Sequence, residues 1–119
     1  MKRNMDLIRV LLLRLEEHGH LDGVAGYTPE QIAYHVFLLE GADLVTQEIY
    51  TNIYLNDSML NGMQITWAGH EFLDATRSIS VWEKAKKVAL NKTGAISFEV
   101  LKAILVQFAK DAISSQTEI

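Results

Sequence analysis

The sequence predicts a mainly helical α+β domain that contains one β-hairpin. Apolar residues recur at helical spacing in several segments. Thr28 and Pro29 form a strong helix-start signal, and a run rich in β-branched and aromatic residues from Leu44 to Tyr54 precedes a turn-prone stretch. The length of 119 residues suits one domain, and apolar and charged shares of 49% and 22% are typical of a packed globular protein.

The first helix is predicted from Met5 to His18. One apolar stripe follows its length, made of Met5, Ile8, Leu11, Leu12 and Leu15. Val10 and Leu13 lie on the other side among charged residues, so we expect some apolar surface to stay exposed. The segment from His18 to Gly26 contains three glycines and is predicted to be a loop, with a short strand as an alternative.

The second helix is predicted from Pro29 to about Glu40. Thr28 caps it, Pro29 takes the first helical position and Gln31 completes a capping box. Helical geometry divides the remaining residues between two faces. The inner face is predicted to contain Ile32, Val36 and Leu39, and the outer face Gln31, Tyr34, His35 and Leu38, with Phe37 near its edge. Gly41 and Asp43 tolerate the left-handed backbone that often ends a helix.

The hairpin is predicted to follow directly. The residues from Leu44 to Tyr54 favour a strand, and Met63 to Thr66 supply its partner. The intervening turn has suitable residues at Asn56, Asp57, Ser58, Asn61 and Gly62.

Three further helices are predicted after the hairpin. Thr66 caps one that reaches about Thr76, with Ala68, Phe72 and Ala75 facing inward. Ser80 and Glu83 form a capping box for a helix from Val81 to about Asn91, which Gly94 ends. Ser97 caps a long last helix whose broad apolar stripe must pack against the body: Phe98, Leu101, Ile104, Leu105, Phe108, Ala109 and Ala112. We interpret Trp67 and Trp82 as core or boundary residues rather than base-stacking ones.

This order of elements resembles a winged-helix domain with appended helices. The chain also resembles a family of small bacterial and bacteriophage proteins known as domain of unknown function 2513. The matching residues are Met1-Lys2-Arg3, Met5 to Arg9, Ile32 to His35, Leu38-Leu39, Leu44-Val45, Thr66-Trp67, Gly69 to Asp74 and Val81-Trp82. The resemblance implies one winged-helix-like domain over residues 1–119, with a core at about 5–77 and appended helices at about 80–114. The family usually has Ala-Gly-Leu-Ile where this chain has Ala42-Asp43-Leu44-Val45.

The residue pattern argues against several functional classes. The chain has no cysteine, which excludes disulfides, thiolate zinc sites and cysteine nucleophiles and fits the cytoplasm. No apolar run approaches the roughly 20 residues of a membrane span, and the start is read as an amphipathic helix rather than a signal peptide. His70-Glu71 lacks the second histidine of a zinc-protease motif, because Asp74 stands there. His18, His20 and Asp22 are weaker still as metal ligands. We therefore expect no enzyme activity, metal, cofactor or small-molecule substrate.

Two functions remain open. By fold analogy, the chain is a DNA-associated transcriptional regulator of phage or mobile-element type. Bases would then be approached by Gln31, Tyr34 and His35, and phosphates contacted by Arg9, Arg14, Lys84, Lys86 and Lys87. The alternative is a protein-interaction module or homodimer that uses Tyr34, Phe37 and Leu38. The net charge of −4 and a second helix without Lys or Arg favour this alternative.

Overall fold

The structure is a computed structural model that describes residues 1–47 and 63–117. Within these ranges the chain is mainly helical with one two-stranded antiparallel sheet, as the sequence predicts. The helices are α1 (Met5–His18), α2 (Pro29–Gly41), α3 (Trp67–Ala75), α4 (Ile79–Thr93) and α5 (Phe98–Thr117), and the strands are β1 (Val45–Gln47) and β2 (Met63–Ile65). No helix in the described part is long and apolar enough to cross a membrane.

The chain divides into two compact units, which we call the N-terminal unit (Met1–Glu71) and the C-terminal unit (Phe72–Ile119). The N-terminal unit contains α1, α2 and the hairpin, and the C-terminal unit contains α4 and α5. The single winged-helix-like domain stays a prediction. Residues 19–28 separate α1 from α2, a longer connection than the 3–4 residues typical of a helix-turn-helix.

Helix α1 has the bounds that its apolar stripe predicts. The Asn4 side chain caps it by accepting hydrogen bonds from the amides of Asp6 and Leu7, and Gly19 ends it with a φ of 74°. The predicted stripe is buried, and Leu7 is buried as well. The described connection to α2 contains no strand, so the alternative of a short strand there is wrong.

Helix α2 begins as predicted. The Thr28 hydroxyl accepts from the Gln31 amide at 3.1 Å, and the Gln31 side chain accepts from the Thr28 amide at 2.9 Å, which completes the capping box. After α2, Asp43 adopts a left-handed conformation with a φ of 58°. This conformation turns the chain into β1.

The hairpin joins β1 and β2 in antiparallel register, with Val45 opposite Ile65 and Gln47 opposite Met63. The predicted first strand beyond Gln47 and the predicted turn residues from Asn56 to Gly62 lie outside the described residues. The hairpin packs on the helices of its unit through contacts of β1 with α2 and of β2 with α1.

Helix α3 begins after Thr66, whose hydroxyl accepts from the Gly69 amide at 3.0 Å. The predicted inner face is partly wrong: Ala68 is exposed, and the buried residues are Gly69, Phe72, Leu73 and Thr76. Gly69 packs so closely against the hairpin that a Cβ atom there would overlap the carbonyl oxygen of Leu44, the residue before β1. This close approach sets which side of α3 faces the hairpin.

Helices α4 and α5 form an antiparallel pair joined by residues 94–97. The cap of α4 is Ser78, which accepts from the Val81 amide at 3.3 Å; the predicted Ser80 cap is wrong because the helix starts two residues earlier. Gly94 ends α4 and Ser97 accepts from the Val100 amide, as predicted. The apolar stripe of α5 is only partly buried: Leu101 and Leu105 are in the core, whereas Ala109 and Ala112 are exposed.

Candidate functional site

His35 lies on the buried side of α2, so the prediction that it faces outward is wrong. Its side chain is only 2% exposed. Nε2 accepts a 2.8 Å hydrogen bond from the Asn4 amide, and Nδ1 lies 2.7 Å from the Gln31 carbonyl oxygen. Because Nε2 accepts, the ring proton is on Nδ1 and is donated to Gln31. His35 therefore connects α2 to the start of α1 and has no surface for a partner.

The outer face of α2 is apolar and uncharged at its centre. We define the α2 outer surface as Ala33, Tyr34, Phe37 and Gly41, which share the side opposite the buried Leu39. Phe37 is 67% exposed, and its ring stacks on Tyr34 with a centroid distance of 6.4 Å. Leu38 is half-buried at the edge of this surface.

The charges of α2 are acidic only. Glu30 lies at its first turn and Glu40 at its last, and Asp43 follows. Gln31 is half-buried, and its side-chain oxygen Oε1 accepts from the Thr28 amide in the capping box. Of the three predicted base-contacting residues, His35 is buried, Gln31 is partly committed and Tyr34 is aromatic. Helix α2 therefore offers an exposed aromatic residue and carboxylates, and no Lys or Arg.

Trp67 is a large exposed aromatic residue that the sequence interpretation placed in the core or at its boundary. It is 82% exposed at the first position of α3, so that interpretation is wrong for Trp67 and correct for Trp82, which is 1% exposed. A signal existed in the sequence, because the helical period that buries Phe72 and Leu73 places Trp67 on the opposite side.

The structure places Trp67 beside the end of α2. Its neighbour Thr66 donates a hydroxyl hydrogen bond to the Asp43 carbonyl oxygen, and the Thr66 amide donates to the Leu44 carbonyl oxygen at 3.0 Å. These two bonds hold the start of α3 against the residues that follow α2. The exposed Trp67 therefore begins a helix whose start is fixed to the residues that follow α2.

The predicted basic contacts belong to different units and have different surroundings. In the N-terminal unit, Nε of Arg14 donates to the Asp22 carbonyl oxygen at 3.0 Å, and Arg9 is half-buried. In the C-terminal unit, Lys86 pairs with Glu83 at 3.0 Å. Lys84 lies 5.0 Å from the Phe108 ring centroid. Lys87 is exposed on α4.

Charge is divided unequally between the units. Residues 1–71 contain four Lys and Arg and ten Asp and Glu, a net charge of −6. Residues 72–119 contain seven Lys and Arg and five Asp and Glu, a net charge of +2. The C-terminal unit is therefore the part of the chain that attracts anions, and the N-terminal unit the part that attracts cations.

The histidines outside α2 are exposed, and each lies near one carboxylate. His70 Nδ1 lies 3.9 Å from Glu16, and His20 Nδ1 lies 3.9 Å from Asp22. In residues 1–47 and 63–117 no three His, Asp or Glu side chains converge as they would around a metal ion.

A cavity of about 250 Å³ lies between α1 and the following loop. It is open to solvent, with Val10 and Leu13 on its apolar side, Arg14 and Glu17 at its border and residues 23–25 on the loop side. Both apolar residues are half-buried, so the apolar surface predicted on this side of α1 is partly covered by the loop. Arg14 holds that loop through Asp22.

Comparison with known proteins gives a family and one relative. The family described as "Hypothetical protein (DUF2513)" matches residues 2–95. An "Uncharacterized protein" of Haemophilus influenzae is 36% identical over 110 residues, which cover 87% of this chain and 92% of the relative. No solved structure is significantly similar to the chain.

Proposed function

The chain belongs to the DUF2513 family of hypothetical proteins, and we propose that it is a non-enzymatic protein-binding module. Its α2 outer surface binds a partner helix that presents apolar side chains flanked by Lys or Arg. The observation that carries this proposal is the exposed Phe37, stacked on Tyr34 in a helix whose only charges are carboxylates. Large aromatic side chains are enriched among the residues that dominate binding energy at protein interfaces.

The chemistry of the partner follows from the charges around this surface. Glu30 and Glu40 flank the aromatic pair, so an acidic helix placed there would be repelled. If two copies of α2 packed on each other, the only charged groups brought together would be carboxylates, which repel each other. A basic amphipathic helix would bury Phe37 and bring its cations close to Glu30 and Glu40.

The fluorescence of Trp67 provides the measurement of binding. Its indole is exposed at the start of α3, which Thr66 joins to the residues after α2, whereas Trp82 is buried and gives a constant background. The probe is a designed amphipathic helical peptide with leucines on one side and lysines on the other. We expect its binding to shift Trp67 emission to shorter wavelength, and we expect Phe37→Asp to weaken binding at least about tenfold.

The controls distinguish binding at this surface from nonspecific binding of the peptide. Ile79→Asp makes the same type of change at another exposed apolar residue, in the C-terminal unit, and should leave affinity unchanged. A peptide with glutamates in place of the lysines should not bind. Equal binding of both peptides, or binding that Phe37→Asp leaves intact, would refute the proposal.

DNA binding is a second candidate function, favoured by the net charge of +2 in the C-terminal unit and by the exposed Lys84 and Lys87 on α4. It would make the protein the small winged-helix-like regulator that fold analogy implies. Binding to a random duplex should then weaken with salt, with a log–log slope of about −0.9 for each phosphate contacted. Lys84→Glu with Lys87→Glu should flatten that slope, whereas Lys2→Glu with Arg3→Glu should not. No binding at low salt would reject this candidate.

A further inference from the structure

We propose that helix α5 is the contact surface for a second copy of this chain, and that two α5 helices pack against each other in antiparallel orientation. The inference goes beyond the proposed function, because it uses a different surface from α2 and requires no other protein. The resulting dimer is symmetric, so each copy contributes the same residues to the contact.

One side of α5 is exposed along most of its length. Leu101 and Leu105 are buried on the side that faces the core, and α5 packs on α4 within its unit. The helical period places four exposed residues on the opposite side, which we call the α5 outer surface: Glu99, Ala103, Val106 and Lys110. Val106 is 42% exposed, and Ile113, 63% exposed, borders this surface toward the end of the helix.

The order of residues along the α5 outer surface is complementary to the same order read backwards. Glu99 lies at one end and Lys110 at the other, with the small apolar residues Ala103 and Val106 between them. In an antiparallel pair, Glu99 of one copy lies opposite Lys110 of the other. Symmetry repeats this contact at the other end. The same register places Ala103 of each copy opposite Val106 of the other.

The remaining charges of α5 are compatible with this register. Helix α5 has no net charge, since its charged residues are Glu99, Lys102, Lys110 and Asp111. Lys102 lies at one edge of the surface with its ammonium 5.9 Å from the Phe98 ring centroid, and the register brings it level with the uncharged residue 107 of the second copy. Asp111 lies toward the other edge and accepts a 2.8 Å hydrogen bond from Gln107. No two like charges therefore face each other.

The other pairings of these helices bring like charges together. In a parallel pair of α5 helices, Glu99 would face Glu99 and Lys110 would face Lys110. Packing of α5 on the α2 outer surface of another copy would place Glu99 near Glu30 or Glu40, so only the end with Lys110 would be attracted. The antiparallel α5 pair is the one of the three in which both ends attract.

The centre of the α5 outer surface allows two helices to approach closely. Ala103 and Val106 are small, so no bulky side chain separates the two backbones. Helices in contact usually lie about 8–10 Å apart, a separation that the long side chains of Glu99 and Lys110 can bridge. Because the contact uses one face of one helix, we expect a weak dimer that forms with increasing concentration.

Sedimentation of the full chain with reversed charges tests this pairing. The wild type, of 13.4 kDa, should show a mass that rises from monomer toward dimer with concentration. Glu99→Lys alone and Lys110→Glu alone should each raise the dissociation constant at least about tenfold, because each turns both attractive contacts into repulsive ones. The chain with both changes should return to within about threefold of the wild type, because opposite charges face each other again.

Recovery in the double variant is specific for a contact between two copies. Glu99 and Lys110 are 11 residues apart, about 16 Å along the helix, so they do not contact each other within one chain. Glu99→Lys also removes a carboxylate from the first turn of α5, where it favours the helix. The double variant keeps that loss, so restored folding does not explain restored association. Circular dichroism verifies the fold of each variant.

Matched variants change the same kind of residue elsewhere. Glu71→Lys and Lys87→Glu, both at exposed positions, should leave the dissociation constant within about threefold of the wild type. Val106→Asp should raise it at least about tenfold, whereas Leu90→Asp, at an apolar residue of α4 that is 49% exposed, should not.

Introduced cysteines test the orientation, because the chain has no cysteine of its own. The register places the two copies of residue 106 about 4–5 Å apart along the helix axis and the two copies of residue 99 about 16 Å apart. Val106→Cys should therefore form a disulfide-linked dimer faster than Glu99→Cys. Faster linkage at residue 99 would indicate a parallel pair and overturn the inference.

Three further outcomes would also overturn it: a monomer at every concentration, association that the single charge reversals leave intact, and a double variant that fails to recover. Phe37→Asp should leave self-association unchanged, and its loss in that variant would move the contact to α2 and reject the α5 pair. The designed peptide separates this inference from the proposed function. Peptide binding through Phe37 by a strict monomer rejects the α5 pair alone, whereas dimers that do not bind the peptide reject the proposed function alone.

Discussion

The backbone amide of Asn4 donates a 2.8 Å hydrogen bond to Nε2 of His35, and this bond ties the start of α1 to the middle of α2. The Asn4 side chain caps α1 at the same time. One residue therefore satisfies the first amides of its own helix and fixes the neighbouring helix. This arrangement keeps His35 inside and leaves the opposite face of α2 outside.

Replacement of His35 should destabilise the fold. His35→Ala removes the acceptor of the Asn4 amide and leaves a cavity, so we expect the free energy of unfolding to fall by about 2–4 kcal/mol. Urea denaturation measures this change. His70→Ala removes an exposed ring near Glu16 and should cost less than about 1 kcal/mol. Long-range ¹H–¹⁵N correlation spectra should show the His35 proton on Nδ1, and a proton on Nε2 alone would contradict the hydrogen bonding described here.

Gly69 should not tolerate a side chain. A Cβ atom there would overlap the Leu44 carbonyl oxygen, so Gly69→Ala must displace α3 from the hairpin. We expect a loss of about 1–3 kcal/mol in the free energy of unfolding. Gly41→Ala is the matched control, since no heavy atom lies within 4 Å of its Cβ position. It should be neutral or stabilising by up to about 1 kcal/mol, because alanine favours helix. Equal effects at the two glycines would refute the close packing.

The two candidate caps of α4 differ in their expected effects. Ser78→Ala removes the acceptor of the Val81 amide and should lower the free energy of unfolding by about 1 kcal/mol. Ser80→Ala lies within the first turn and should change it by less than about 0.5 kcal/mol. Thermal denaturation of both variants provides the comparison. A larger loss at Ser80 would restore the cap that the sequence suggests.

The two tryptophans should respond oppositely to substitution. Trp82 packs edge-on against Phe72, with ring centroids 6.3 Å apart, and Trp82→Ala should cost about 3–5 kcal/mol. Trp67→Ala should leave stability within about 0.5 kcal/mol of the wild type, since the side chain is exposed. Acrylamide should quench Trp67 efficiently and Trp82 weakly. Strong protection of Trp67 in dilute monomer would show that its indole is covered.

Local signals predicted the elements well. The pattern of Thr28, Pro29 and Gln31 predicted the correct start of α2. It could do so because a capping box involves only residues that are close in sequence. For the same reason, the apolar stripe predicted the extent of α1, and the glycines after α1 and α4 predicted where these helices end. Ser78 and Ser80 show the limit of such signals, since two serines spaced two residues apart both offer a cap and the choice depends on where the preceding helix ends.

The sequence by itself determined where α1 and α2 lie, where the described part of the hairpin lies, which parts of the chain are acidic or basic, and that α2 lacks Lys and Arg. Only the tertiary structure decided that His35 turns inward and that Gly69 rather than Ala68 faces the hairpin. The physical reason is that hydrogen bonds within a helix fix its period but not its rotation about its axis. That rotation is set by contacts distant in sequence, such as Asn4 with His35, and these contacts decide which residues remain for a partner.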